Sequence, residues 1–498
     1  MPHPPSRGGA KLGWAAAGGI LALAVGDAVR LRWVSDDAFI SFRYAANLVD
    51  GLGLVFNAGE RVEGFSNFLW TLLLTPSLAL GADPVAPAQV LGIVFYAATL
   101  GLLVVCTLRR RTFRVPVAAL GLALHLHARI FATGGLETAL FTFLVTATVT
   151  VTMDARGGRG YALASCLALL AALTRPDGAI FLLWPLLGAL IQERRPSSLT
   201  AAVLPAGVLG GLYLAWKLHY YGEILPNTFY AKSASEGRYP QGLLYLRLYF
   251  QTYWPLLAGL LAPLVLLRPG REVRGLILSA GACLAYLLFV AHVGGDFMFA
   301  RFALPVTPLL LLQAETLCAH LAPASLRWGV ALVLLAGLAP ARTPAAMFHL
   351  TNPTGIVEER AFYPRQRVEE ARRAGAELER AFAGVPVRVA IYGSQAMLAY
   401  YARFPYVLEA HTGLTDREIA RRPLPARGRV GHEKTVGLAY LRTRDIDFVF
   451  GFGLFPVRPP PERRIQVGSV SGAIVRARPQ VLEALRGRPG LTLGGVDW

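Results

Sequence analysis

Long apolar runs separated by short polar turns constrain this chain more than any other feature. Hydrophobic residues make up 54% of its 498 residues, and only 16% are charged. A helix needs about 20 apolar residues to cross the ~30 Å hydrocarbon core of a bilayer. We therefore predict a polytopic α-helical membrane protein with eleven transmembrane helices, at 13–29, 85–108, 115–132, 136–153, 160–174, 178–191, 199–218, 250–267, 275–292, 302–320 and 326–341.

The basic residues predict the orientation of these helices. They give the chain a net charge of +18, and they cluster at the ends of alternate apolar runs. Cytoplasmic loops are usually rich in Lys and Arg. This bias predicts a multi-pass inner-membrane protein with a cytoplasmic N-terminus, if the apolar piece 65–80, which Pro76 interrupts, does not span. On this interpretation the basic residues set the orientation of the helices and contact lipid headgroups. No nucleic-acid partner is predicted.

The composition changes near residue 343. We divide the chain into a transmembrane domain, 1–342, with a first outer loop at 30–84, and a soluble extracytoplasmic α/β domain, 343–498. In the second domain, residues 358–383 have helical charge spacing, and 387–392, 445–450 and 465–475 have the composition of strands. Gly393-Ser394 follows the first of these strands, either as an ordinary turn or as a phosphate-binding turn.

Two adjacent carboxylates, Asp36 and Asp37, follow the first apolar run. Adjacent like charges are costly, so such a pair is usually solvated or belongs to an acid, base or metal site. Ser35-Asp36-Asp37 is also a good helix N-cap sequence, and residues alone do not decide between these interpretations. The apolar stripe that includes Phe39 and Phe42 predicts a helix lying flat on the membrane.

Further polar motifs follow the acidic pair, mostly at the outer ends of apolar runs. They are Gly51 to Trp70, Gly135-Leu136-Glu137-Thr138, Thr174-Arg175-Pro176-Asp177-Gly178, Leu225-Pro226-Asn227-Thr228-Phe229-Tyr230-Ala231-Lys232, Gly294-Gly295-Asp296-Phe297-Met298 with Arg301-Phe302, Gly413-Leu414-Thr415-Asp416 and Gly431-His432-Glu433-Lys434. In these motifs the chain resembles the GT-C superfamily of polyprenyl-phosphate-sugar glycosyltransferases. More narrowly, it resembles the mycobacterial terminal beta-arabinofuranosyltransferase group, which shares its pattern with a motility-control membrane protein family.

The resemblance implies a GT-C fold and sugar transfer at the outer face of the membrane. The donor would be a polyprenyl-phosphate sugar, with arabinofuranose as the narrower expectation, and the acceptor a cell-envelope glycan or glycolipid. Asp36 or Asp37 would be the general base, and Asp36 is slightly favoured because it shares a helix face with Arg43 and Asn47. A divalent cation is the one cofactor considered, with Asp36 or Asp37 as its ligand.

The outer motifs also supply candidates for substrate binding. Lys232 and Arg301 stand out as cations for the leaving phosphate because aromatic residues flank both, although a single Arg near a helix end more often extends to lipid headgroups. Glu137 and Asp177 have helix-start positions as an alternative, and His411 and His432 are interpreted as structural histidines. The full set of donor- and substrate-binding candidates is Arg43, Asn57, Glu63, Glu137, Arg175, Asp177, Asn227, Tyr230, Lys232, Asp296 and Arg301.

Two other function classes compete with the enzyme. One is a non-enzymatic membrane scaffold or regulator, in which the C-terminal domain docks a partner. The other is a transporter, which is less favoured because the polar residues lie in outer loops and not at the middle of the apolar runs.

Overall fold

The structure is a computed structural model of the chain. It describes residues 7–110, 112–232, 237–266, 271–321, 323–393, 395–424, 431, 433–451, 463–476 and 478–495. Ser394, in the predicted turn, and His432 lie outside the described residues.

The described residues between 7 and 338 are mainly helical, as the apolar runs predict. Short 3₁₀ helices lie at Pro176–Leu183, Trp254–Leu256 and Leu304–Val306. The α-helices are α1 (Arg7–Arg30), α2 (Ala38–Val49), α3 (Phe68–Ala79), α4 (Val85–Arg110), α5 (Val117–Leu124), α6 (Leu126–Phe131), α7 (Thr138–Asp154), α8 (Gly157–Thr174), α9 (Trp184–Gln192), α10 (Pro196–Tyr221), α11 (Asn227–Ala231), α12 (Tyr239–Thr252), α13 (Leu257–Val265), α14 (Arg271–Val293), α15 (Thr307–Ala319) and α16 (Ala324–Leu338).

Among the described residues, four helices are long and apolar enough to cross a membrane, namely α4, α8, α10 and residues 273–293 of α14. A fifth span results if α12 and the segment 254–265, which meet at a bend of 101°, count as one. Shorter apolar helices of 10–17 residues lie at 68–79, 138–154, 176–192, 304–319 and 324–338. The number of eleven spans therefore stays a prediction.

The short apolar piece after the first loop forms α3, with Pro76 inside it. Its 12 residues rise about 18 Å at 1.5 Å per residue, which is less than the ~30 Å of a bilayer core. The helix alone is therefore too short to cross the membrane.

The C-terminal region contains a mixed six-stranded sheet in the order β2-β1-β3-β5-β4-β6. Strand β1 pairs in parallel with β2 and β3, and the remaining pairs are antiparallel. Its elements are a 3₁₀ helix (Glu359–Phe362), α17 (Arg365–Phe382), β1 (Arg388–Tyr392), α18 (Ala396–Tyr401), β2 (Tyr406–Glu409), α19 (Arg417–Arg421), α20 (Leu438–Thr443), β3 (Phe448–Gly451), β4 (Arg464–Val467), β5 (Val470–Ile474), α21 (Pro479–Leu485) and β6 (Leu491–Gly494).

One strand prediction in this region was wrong. Residues 465–475 form two antiparallel strands, β4 and β5, that meet at a turn containing Gly468 and Ser469. Gly468 has a positive φ of 53°, a conformation that glycine adopts at little cost. The apolar residues on both sides of this turn hid it, and they produced the appearance of one long strand.

Helix α2 does not present its apolar stripe to the membrane, contrary to our expectation. Phe39 and Phe42 are fully buried, and the ring of Phe39 lies 5.6 Å from that of Tyr400 and 5.4 Å from that of Tyr401, both in α18. The C-terminal region therefore covers the stripe, and α2 becomes part of an interface between the two parts of the chain.

Candidate functional site

A cavity lies between the helical part and the C-terminal sheet. One wall carries Asp36, Asp37 and Lys232, and the opposite wall comes from the ends of β1 and β2 and the loop after β2. Sites in α/β sheets commonly form outside the carboxyl ends of parallel strands. The cavity measures about 60 Å³, roughly two waters at ~30 Å³ each, so it must widen to admit a sugar.

Asp36 is buried and binds the C-terminal region. Its two carboxylate oxygens accept backbone N–H bonds from Met397 at 2.9 Å and Ala396 at 3.0 Å, at the start of α18. Burial outweighs these bonds and raises the pKa of Asp36 to about 7. Asp36 thus does not cap α2, as the capping interpretation expected, but caps α18, a helix 360 residues away along the chain.

Asp37 has a different environment, although it is the next residue. It is half-buried and lines the same cavity, and its carboxylate makes no hydrogen bond or ion pair with any residue that the structure describes. In particular, it does not cap α2, although it occupies the N-cap position. The two carboxylates therefore differ: that of Asp36 is hydrogen-bonded to α18, and that of Asp37 is available to a ligand in the cavity.

Lys232 supplies a cation to this cavity. Its side chain is exposed at the wall opposite the loop after β2, and the described part of the chain gives it no ion pair or hydrogen bond. Its aliphatic carbons approach Gly431, where the Cβ of any larger residue would lie 3.6 Å from Cε of Lys232. An available ammonium and the available carboxylate of Asp37 therefore line one cavity.

Arg43 lies at the interface and not in the cavity. Its Nε donates to the Phe56 carbonyl at 2.8 Å, and Nη1 and Nη2 donate to the carbonyls of Ala399 at 3.3 Å and Phe404 at 2.7 Å. The structure thus gives Arg43 backbone carbonyls as partners in place of the donor or substrate that we expected. Together, Asp36 and Arg43 hold α18 and the residues after it from both ends, an arrangement that we call the α18 clamp.

Five of the predicted residues form one buried charge network behind the cavity. Glu137, in the loop before α7, accepts from Arg175 at 3.1 Å, Arg301 at 3.0 Å and the Asn67 amide at 3.0 Å. Arg175 also binds Asp177 at 3.0 Å, and Arg301 lies 3.5 Å from Asp296. The two arginines are thus already paired with three carboxylates. The network therefore has no net positive charge with which to attract a phosphate, contrary to our expectation.

Two of the remaining candidates, Asn57 and Asn227, lie at contacts between the two parts of the chain. Asn57 pairs with the backbone of Val407 in β2 through two bonds of 2.9 Å. The Asn227 amide donates to the carbonyls of Gly413, Leu414 and Asp416 at 2.8–3.2 Å.

Tyr230 and Glu63 also make structural contacts. The ring of Tyr230 lies 4.3 Å from the guanidinium carbon of Arg421, and its carbonyl accepts from Lys434 at 2.7 Å. Glu63 forms a buried ion pair of 2.8 Å with Lys217, and burial nevertheless raises the pKa of Glu63 to about 7. The structure thus brings neither residue into the cavity.

Sequence reasoning missed the contribution of the loop after β2. Glu409 accepts backbone N–H bonds from His411, Thr412 and Leu414 at 2.9–3.2 Å, and this carboxylate shapes the loop that lines the cavity. The only signal in the sequence was the motif at 413–416. Nothing in the sequence connected Glu409 with Asp37.

The side chains around the cavity provide few ligands for a metal ion. Among the described residues, no three His, Cys, Asp or Glu side chains lie close enough together to hold a metal ion. Asp37 could supply one ligand, since Asp36 is engaged by α18. We therefore derive no step that requires a metal ion.

Comparison with known proteins agrees with the sequence motifs. No protein-family model matches the chain. Over 396 residues it is 31% identical to a terminal beta-(1->2)-arabinofuranosyltransferase of Mycobacterium tuberculosis, covering 67% of this chain and 62% of that protein. The protein with the same name from Corynebacterium glutamicum is 31% identical over 334 residues, covering 56% and 47%. The chain thus aligns with about half to three fifths of the length of these relatives.

Solved structures decide the fold. The structure of ArnT from Cupriavidus metallidurans bound to undecaprenyl phosphate superposes with a TM-score of 0.56 at 14% identity, covering 81% of this chain and 87% of ArnT. The apo structure of ArnT gives 0.57, covering 95% and 100%. The chain has the GT-C fold. It is a membrane-integral protein that resembles the terminal arabinofuranosyltransferases, as its motifs predict.

Proposed function

We propose that this GT-C protein transfers a sugar from a polyprenyl-phosphate donor to a hydroxyl of a cell-envelope glycan or glycolipid at the outer membrane face. The observation that carries the proposal is the cavity in which an available carboxylate, Asp37, and an available ammonium, Lys232, lie together. The names of the two relatives support arabinofuranose as the sugar, and the ArnT complex supports a polyprenyl phosphate as the carrier.

The chemistry that we propose is a single displacement. The acceptor oxygen forms a bond to the anomeric carbon of the donor sugar, while the bond from that carbon to the phosphate oxygen breaks. The acceptor proton passes to Asp37, and the electron pair of the broken bond leaves with the polyprenyl phosphate. Attack on the face opposite the phosphate inverts the anomeric configuration.

Asp37 is a better base than Asp36 in this geometry. A general base must reach the proton that it removes, and general-base catalysis is worth about 10²–10⁴ in rate. The pKa of Asp36, near 7, would suit a base, but both of its oxygens accept N–H bonds from α18. We therefore assign proton transfer to Asp37 and the positioning of α18 to Asp36, which reverses the preference drawn from helix faces.

Lys232 fits the leaving group. Negative charge develops on the phosphate as the glycosidic bond breaks, and an ammonium group at the cavity can stabilise that charge. Arg175 and Arg301 already form ion pairs with three carboxylates of the buried network. Lys232 makes no ion pair with the described residues, so its ammonium group is available to the phosphate.

The test is sugar transfer in proteoliposomes from a radiolabelled arabinofuranosyl polyprenyl phosphate to an octyl arabinofuranoside. We expect Asp37→Asn to lower turnover by about 10²–10⁴. Asp50→Asn, an exposed carboxylate at the other end of α2, is the matched control and should keep wild-type turnover. Full activity of Asp37→Asn, or a larger loss in Asp36→Asn than in Asp37→Asn, would refute the assignment of the base.

A further inference from the structure

A second cavity lies on another side of Asp36. It measures about 220 Å³, is open on one side, and is lined by α17, the start of α18 and the β4–β5 turn. Asp36 lines both cavities, so the two spaces lie next to each other at this residue. At ~30 Å³ per water, the second cavity has the volume of about seven waters, which is enough for a sugar ring.

Helix α17 presents two charged side chains to this cavity. Arg367 and Glu370 are three residues apart, a spacing at which helix side chains can pair, yet neither side chain makes an ion pair or hydrogen bond with the described residues. Glu369 lies outside the cavity, and it pairs with Arg372 at 3.0 Å and Arg373 at 3.4 Å. The two charges of α17 that face the cavity thus keep their hydrogen-bonding capacity.

The lining has the mixed character that suits a carbohydrate. Arg367 offers donors and Glu370 offers acceptors, as vicinal hydroxyls require, and Met397, Leu398 and Ala371 give an apolar surface for sugar C–H groups. A phosphate would meet the carboxylates of Glu370 and Asp36, and a lipid chain would have to desolvate charges. A neutral, hydroxyl-rich ligand meets neither cost.

We propose that this cavity is an acceptor subsite that binds the sugar unit next to the one that is glycosylated. This inference rests on the proposed function. The acceptor chain would run from α17 past Asp36, so that its terminal hydroxyl enters the first cavity beside Asp37. The chain then selects for acceptors of at least two sugars, and residues of the C-terminal region carry that selection.

The test separates binding from turnover. Two probes are used, an octyl arabinofuranoside and the octyl glycoside of an arabinofuranosyl trisaccharide, and calorimetry measures their binding to Asp37→Asn protein in nanodiscs. We expect the trisaccharide to bind at least tenfold more tightly than the monosaccharide. Arg367→Ala and Glu370→Gln should each remove most of that advantage, whereas Arg365→Ala, an exposed arginine of the same helix, should leave it unchanged.

Equal affinity for the two probes in the parent protein would overturn the subsite. Equal effects of Arg365→Ala and Arg367→Ala would do the same, and Glu370→Gln provides a second variant if Arg367→Ala does not fold. Transfer by the wild type without a trisaccharide advantage refutes only the subsite. Preferential binding of the trisaccharide without transfer by the wild type refutes only the proposed activity.

Discussion

The titration of Asp36 gives a measurable prediction about the interface. Burial raises its pKa from 3.8 to about 7, a change of about three units. Each unit corresponds to ~1.4 kcal/mol, so ionised Asp36 costs the folded state about 4 kcal/mol relative to the protonated form. That value is a net one, because the N–H bonds from Ala396 and Met397 already favour the ionised carboxylate.

The sign follows from proton binding. The unfolded chain loses this proton near pH 3.8, whereas the folded protein keeps it up to about pH 7. Between these values the folded state binds more protons, so its stability falls as pH rises and levels off above the folded pKa. The contribution of Asp36 is therefore fully present below pH 3.8 and is lost as pH rises through 7.

Asp36→Asn isolates this effect because asparagine does not titrate. The melting temperature of purified wild-type protein and of the variant is measured from pH 4 to pH 8. We expect the wild type to lose about 4 kcal/mol relative to the variant over this range. For 498 residues, an unfolding entropy of ~2.1 cal/mol/K per residue converts this loss to roughly 4 °C. Asp50→Asn should follow the wild-type curve. Parallel curves for wild type and Asp36→Asn would refute the reasoning.

Two further predictions concern the charges that hold the site in place. Arg43→Ala removes the side-chain donor of the Ala399 and Phe404 carbonyls and one of the two donors of the Phe56 carbonyl, which keeps Asn47. We expect a loss of about 3–5 kcal/mol and faster proteolysis of the C-terminal region, while exposed Arg380→Ala should match the wild type. Glu137→Gln removes the shared partner of Arg175 and Arg301, so the melting temperature should fall by an amount equivalent to about 3–5 kcal/mol. Exposed Glu483→Gln is its control, and equal melting temperatures for the two variants would contradict the network.

The sequence predicted those parts of the structure that depend on local pattern. Apolar length predicted the membrane helices, and strand composition predicted β1 and β3, because both signals lie within one segment. The acidic pair was likewise found from its position after the first apolar run. Local pattern was insufficient where an interaction joins distant segments. Helix spacing placed Asp36 beside Arg43, and nothing local indicated that both side chains bind α18.

The same limit explains the binding candidates. Arg175 and Arg301 have the sequence context of phosphate ligands, but only the fold shows that Glu137 lies between them. Conversely, Glu409 had no motif to mark it, because its function in shaping the loop depends on where β2 ends.

The α18 clamp has a consequence for biosynthesis. Asp36 and its partners on α18 are separated by 360 residues, so one wall of the cavity is synthesised long before the other. At translation rates of ~5–20 residues per second, the strands that complete the cavity are synthesised roughly 20–70 s after the first loop. During that interval Asp36, the two Nη atoms of Arg43 and the ring of Phe39 lack their partners in the C-terminal region. The site is therefore incomplete in a nascent chain. The cavity forms only when the first loop and the C-terminal region lie on the same side of the membrane.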